Sequence, residues 1–199
     1  MSTKPFLLHA LSPLHASTGH AAHIIDLPIA RMKATRIPFV PGSSIKGILR
    51  DARRGDDQDK TEAVFGPWDD PAAHAGALVV GDARLLALPV RSFRGTFAWV
   101  TSPLLLTLAK RDLEGLGASL SIPSISGRGA QTGAGSCCVH QDQLYLEDLD
   151  LPAGESAQVT AWAGLLGPLA SPGDDISTKR FAAFAPFGSS RPAQTLRDL

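Results

Sequence analysis

The chain has 199 residues, room for one sizeable domain, and 44% of them are apolar, which excludes wholesale disorder. Its 19 cations balance 19 acids, so it is not a basic protein over its whole surface. Its two cysteines, Cys137 and Cys138, are neighbours, which excludes both a disulfide framework and a CxxC-type zinc knuckle. Glycine (19) and proline (15) exceed their usual share, so many turns are expected. The first apolar run is too short for a signal peptide or a membrane span, which predicts a cytoplasmic protein without a membrane partner.

Residues 6–12 (FLLHALS) read as a strand closed by Pro13. Residues 13–42 show no period and hold prolines at 13, 28, 38 and 41; a stretch of that length reads as a functional loop. A helix follows, with Ser43 or Ser44 as N-cap, the stripe Ile45, Ile48, Leu49 and Ala52, and a stop at Gly55. Residues 56–70 read as an acidic surface loop. Strands are expected at 77–81, 84–88 and 97–100. A second helix starts at Thr101 or Ser102 with Pro103 at its first position and runs to about Glu114. Residues 115–136 read as a flexible Gly/Ser loop, 143–149 and 156–163 as strands. The tail 171–199 stays unassigned apart from a helical patch near 176–184. This succession predicts a single α+β domain over 1–199, ferredoxin-like or RRM-like, with long inserted loops.

The balanced charge conceals segregation. From Arg31 to Arg54 there are seven cations (Arg31, Lys33, Arg36, Lys46, Arg50, Arg53, Arg54) against Asp51 alone, and the next sixteen residues hold six acids against Lys60. A solvated basic helix beside an acidic loop would look like this. So would an anion site, because Pro41-Gly42-Ser43-Ser44-Ile45-Lys46-Gly47 combines a tight turn, unpaired helix N–H groups, two hydroxyls and an ammonium. It is not a P-loop, since Lys46 precedes Gly47 and no Ser or Thr follows. Ser43-Ser44-Ile45-Lys46 fits the S-x-x-K of serine acyl-transfer enzymes, but their S-D-N and K-T-G tripeptides are absent, which leaves a serine hydrolase as the remote reading.

Three histidines (His15, His20, His23) precede Asp26 in the long loop. Such a cluster could hold a metal or do acid–base work on a phosphodiester, or the histidines could simply be exposed. Asp26 lies in an apolar stretch bounded by Pro28, next to the basic segment. It reads either as a turn or ion-pair residue, or as a lone carboxylate beside a phosphate-binding surface.

Leu11-Ser12-Pro13-Leu14-His15, Ile25-Asp26-Leu27-Pro28-Ile29-Ala30-Arg31, and the run from Ile37 through Pro41-Gly42-Ser43-Ser44-Ile45-Lys46-Gly47 to Arg50 together resemble the RAMP superfamily of CRISPR effectors. Val64-Phe65-Gly66, Gly81-Asp82-Ala83-Arg84 and Pro89-Val90-Arg91-Ser92 through Phe97-Ala98-Trp99-Val100-Thr101 strengthen the likeness, which is greatest to the backbone subunits of type III-B complexes. The resemblance implies a subunit that binds crRNA, stacks with copies of itself in a filament, joins other type III CRISPR subunits and cuts single-stranded target RNA at regular intervals. It implies Asp26 as the residue needed for cutting, with His15 nearby, and Mg²⁺ or Mn²⁺ as a cofactor at Asp26. It assigns guide binding to Gly42, Ser43, Ser44, Lys46 and Arg50, and the basic segment adds Arg36 and Arg54. A catalytically inactive RNA-binding subunit is the alternative. The C-terminal thumb hairpin of such subunits finds no counterpart in this tail.

Overall fold

The computed structural model describes residues 3–17, 28–68, 74–115, 117, 120–122, 124, 129–173 and 178–184. They fall into two compact units, one of residues 10–84 and one of residues 1–9 with 85–199.

In the unit 10–84, backbone pairing begins inside the segment read as an aperiodic loop. Ser17 bridges Ile29, the Ala30 N–H donates to the Ala16 carbonyl, and Arg31 bridges Pro38 around a turn closed by Arg36 at φ +61°. This small hairpin buries Ala30 and Ile37, the apolar gain that offsets its ordering. The chain then forms β1 (Phe39–Val40), α1 (Gly42–Asp51), α2 (Gln58–Phe65) and β2 (Ala83–Arg84), the last antiparallel to β1.

Two expectations are corrected here. The acidic loop contains α2, because the Asp57 side chain accepts the Lys60 N–H as an N-cap and Gly66, at φ +96°, ends the helix. The Lys60 side chain on that cap holds the Asp57 carboxyl below its ordinary range. Residues 77–81 form no strand. The Ala77 and Leu78 N–H groups donate to the Ala63 and Val64 carbonyls, so this backbone satisfies the end of α2 instead of a sheet.

The other unit is built on a mixed sheet. Its strands are β3 (Leu88–Arg91), β4 (Phe97–Thr101), β5 (Ala130–Thr132), β6 (Val139–His140), β7 (Gln143–Leu146), β8 (Leu149–Glu155) and β9 (Phe181–Phe184), in the spatial order β3-β4-β9-β5-β8-β7-β6. The β4/β9 and β5/β8 pairs are parallel and the others antiparallel. A bridge from Ser92 to Leu146 ties the end of β3 back to β7, so the sheet curls. Two helices accompany it, α3 (Pro103–Glu114) and α4 (Ala157–Ala170).

β4 shows how the sequence serves both faces. Ala98 and Val100 enter the core inside the curl with Ala130, Cys138, Leu144, Leu146 and Leu151, while Trp99 between them packs with Leu106, Val159, Trp162, Leu166 and Phe181 under the helices. Each fully buried leucine stabilises the unit by roughly 2 kcal/mol. The Trp162 indole N–H stays satisfied by donating to the Ser121 carbonyl at 3.0 Å.

α3 follows its expected bounds, with the Ser102 side chain accepting the Leu105 N–H. Residues 156–163, read as a strand, are the first half of α4. Ser156 caps the Val159 N–H, and Val159, Trp162, Ala163 and Leu166 are buried at helical spacing. The strand read at 143–149 ends at Leu146 and turns into β8. The strand read at 84–88 is two elements, β2 and β3. The helical patch near 176–184 is a 3-10 turn, Thr178–Arg180, leading into β9, with Ile176 outside the described residues. Residues 6–12 form no strand: Phe6, Leu7 and Leu8 run apolar without alternation, and among the described residues no neighbouring edge takes up their backbone. No helix among the described residues is long and apolar enough to cross a membrane.

Candidate nucleic-acid interface

α1 presents Ser43, Lys46, Gly47 and Arg50 along one stripe, since residues three and four apart share a helix face. The stripe spans about 10 Å at 1.5 Å per residue. Pro41 is the N-cap, not Ser43 or Ser44, so both serines stand inside the first turn, exposed. The Ser44 and Ile45 N–H groups donate to the Pro41 carbonyl. The Gly42 N–H donates to the Asp82 carboxylate at 2.8 Å, a cap supplied from forty residues away. Among the described residues nothing accepts the Ser43 N–H, which leaves one open donor between two outward hydroxyls.

Gly42 is buried, and its closeness to the neighbouring backbone explains the glycine. A Cβ there would stand 2.2 Å from the Val80 carbonyl oxygen. Its part at this site is to admit the chain against residues 80–82 and hold the Asp82 cap, with Ser43 and Ser44 left facing out.

The apolar stripe of α1 is the more exposed side in this fold: Ile48 is 71% and Leu49 44% exposed, while Lys46 and Arg50 are half-buried. The Arg50 guanidinium stacks 3.9 Å over the Trp68 ring, and Arg54 lies 5.4 Å from the same ring. Two Arg50 nitrogens, Nε and one terminal nitrogen, are buried with no acceptor among the described residues. A buried guanidinium donor without an acceptor is costly, and an anion is the group that would satisfy it. Trp68 escaped the sequence reading because eighteen residues separate it from Arg50; its only signal was an aromatic beside a basic helix.

Several of the remaining cations are already engaged. Arg54 pairs with Asp51 at 2.8 Å and Arg53 with Asp56 at 3.3 Å, both exposed. Arg31 donates to the Arg36 carbonyl, and Arg36 sits exposed at the hairpin turn, away from the helix stripe in sequence. Two cavities of about 420 and 310 Å³ open near Arg53, and Asp56 lines both beside the cations. Among the described residues no hydrogen bond joins Ser43 to Lys46, as an S-x-x-K nucleophile would require.

His15 is exposed. His20, His23 and Asp26 lie outside the described residues. Among the described residues no group of three or more His, Cys, Asp or Glu side chains could hold a metal ion; the divalent ion that the resemblance implies was expected at Asp26, without a dedicated cluster.

The sequence model of the RAMP superfamily matches residues 7–180. Over 111 residues the chain is 42% identical to the CRISPR system Cmr endoribonuclease Cmr4 of Pyrococcus furiosus, covering 54% of this chain and 38% of that protein. The crystal structure of oligomeric Cmr4 from Pyrococcus furiosus superposes with a TM-score of 0.70 at 29% identity, over 88% of this chain and 66% of the other. A type III-B Cmr-beta complex bound to cognate target RNA contains a chain of the same fold, with a TM-score of 0.61 at 20% identity over 89% and 64%. The chain thus spans less than two thirds of these relatives.

Proposed function

The chain belongs to the RAMP superfamily, and from that premise we propose that it is a crRNA-binding backbone subunit of a type III CRISPR effector, assembling with copies of itself and other subunits and cutting target RNA at Asp26. The observation that carries the binding half is the start of α1: an open Ser43 N–H, two outward hydroxyls, Lys46, and the buried unsatisfied nitrogens of Arg50. These groups suit phosphate oxygens, not base edges, so sequence would be read by guide–target pairing.

The cutting half rests on the match of Asp26 to the family motif. Asp26 would orient the 2′-hydroxyl beside the scissile linkage, which leaves a 2′,3′-cyclic phosphate. A requirement for Mg²⁺ or Mn²⁺ belongs to the same proposal, read by loss of cleavage in EDTA and its return with either ion. The deciding experiment is Asp26→Asn in the assembled complex. Cleavage should disappear while crRNA affinity stays within about twofold of the wild type. Cleavage that persists removes Asp26 from the reaction, and a wild-type complex that never cuts makes the subunit a structural RNA binder.

A further inference from the structure

The β3–β4 connection, Ser92 to Thr96, presents an unusual surface. Phe93 at its tip is 84% exposed, flanked by Arg91 and Arg94, also exposed and with no carboxylate partner among the described residues. A lone exposed aromatic on a loose loop would mean little, but this loop is pinned from several sides. The Ser92 N–H donates to Thr96, the Phe93 N–H to the Tyr145 carbonyl, and the Glu147 N–H to Arg91. The Arg180 Nε donates to the Gly95 carbonyl at 3.0 Å, while its guanidinium covers the Phe97 ring. Beneath the turn, a Cβ at Gly95 would stand 2.9 Å from the Cys137 sulfur and 3.1 Å from that of Cys138. Thr96 is held at φ +72°, a costly conformation for a β-branched residue.

The fold therefore fixes Phe93 outward. The Tyr145 ring lies 6.2 Å away with its plane at 69° to that of Phe93, and most of the Phe93 ring stays open to solvent. The adjoining β7–β8 turn, tied to Arg91 through the Glu147 N–H, carries Glu147 and Asp148. A rigid aromatic with arginines on either side is the arrangement that binds single-stranded nucleic acid, the base on the ring and the phosphates on the cations. We infer that the Phe93 tip is a second RNA contact, separate from α1, on which one unpaired base stacks while Arg91 and Arg94 hold its flanking phosphates. The inference rests on the RNA-binding reading of the preceding section.

The test is fluorescence anisotropy of a labelled 15-nucleotide oligouridine with the full chain. Phe93→Ala should weaken binding about tenfold with an unchanged salt slope, and Phe93→Trp should restore it. Arg94→Gln should instead flatten the slope of log K against log salt by about 0.7. Because Phe93 is exposed, the melting temperature should not move. Should Phe93→Ala misfold, 5-iodouridine RNA should still crosslink to Phe93 in the wild type, and a crosslink found only elsewhere overturns the inference. A wild type that binds no oligouridine sinks the α1 reading and this one together. Normal affinity in Phe93→Ala and Arg94→Gln, beside a weakened Lys46→Ala, overturns the tip alone. A changed sedimentation coefficient with unchanged RNA affinity also overturns it, and makes the tip a protein contact.

Discussion

Two glycines five residues apart on α1 should respond to alanine with opposite signs. At Gly42 the new methyl would lie 2.2 Å from the Val80 carbonyl oxygen, 2.9 Å from the Gly81 carbonyl carbon and 3.0 Å from its oxygen. All three atoms are backbone, so no side chain can swing aside. Relief requires the helix start to retreat by about 1 Å from contact distances near 3.3 Å, which also stretches the 2.8 Å bond from Gly42 to Asp82. Overpacking of this kind costs about 1–3 kcal/mol and a lost cap about 1 kcal/mol more. The helix-propensity gain of alanine offsets at most about 1 kcal/mol. The net expectation for Gly42→Ala is a loss of about 1–3 kcal/mol. Gly47 has nothing within 4 Å of its absent Cβ, so Gly47→Ala should gain about 0.5–1 kcal/mol. Urea unfolding followed by circular dichroism at 222 nm measures both. The reasoning fails if the two replacements shift stability in the same direction, or if Gly42→Ala lies within 0.5 kcal/mol of the wild type.

Other expectations follow from the same contacts. Ser156→Ala removes the cap of α4 and should cost about 1 kcal/mol, whereas a strand at 156–163 would feel no such loss. The Cys138 thiol, pushed up to about 12 first by burial and then by its neighbour Cys137, should resist alkylation at pH 8, so that one thiol per chain reacts in the folded protein and two in urea. The unfolded thiol gives up its proton nearer 9 while the folded one keeps it; stability should therefore be level below pH 9 on this account and fall as pH rises toward 12, which a pH series of unfolding curves on wild type and Cys138→Ala reads directly. Lys46→Ala should weaken binding of all RNA sequences alike and flatten the salt slope by about 0.7; a loss confined to particular bases would contradict a phosphate contact.

The elements legible in the sequence were those fixed by neighbours in the chain. Ser102-Pro103 starts α3 with its own cap, and the alternation of Phe97, Ala98, Trp99 and Val100 gives β4 two faces to serve. α4 was hidden because Gln158-Val159-Thr160-Ala161-Trp162 alternates like a strand on a segment apolar on all sides; the signals for a helix were the Ser156 cap and the burial spacing of Val159, Trp162, Ala163 and Leu166. What depends on distant partners was not legible. The apolar run at 6–12 could become a strand only if an edge accepted it, and the backbone at 77–81 is taken by the end of α2. At the candidate site, Gly42-Ser43-Ser44-Ile45-Lys46 announces its chemistry. The Asp82 cap, the Trp68 stack and the reason for glycine at 42 are tertiary facts.

The Asp82 cap sharpens what α1 can offer an anion. A carboxylate on the first N–H of a helix occupies the position a phosphate would take and cancels part of the positive end of the dipole. Affinity for phosphate must then come mainly from Lys46 and Arg50, with the Ser43 N–H and the two hydroxyls setting position. Asp82→Asn separates these contributions, because the amide oxygen still accepts from Gly42 while the charge is gone. One unit charge about 6 Å from a phosphate in water contributes roughly 0.7 kcal/mol, so RNA affinity at low salt should rise about threefold. At 0.5 M salt the screening length falls below that separation and the gain should vanish. An unchanged affinity at low salt would mean that no phosphate approaches the start of α1, and the binding surface would have to be sought elsewhere on the chain.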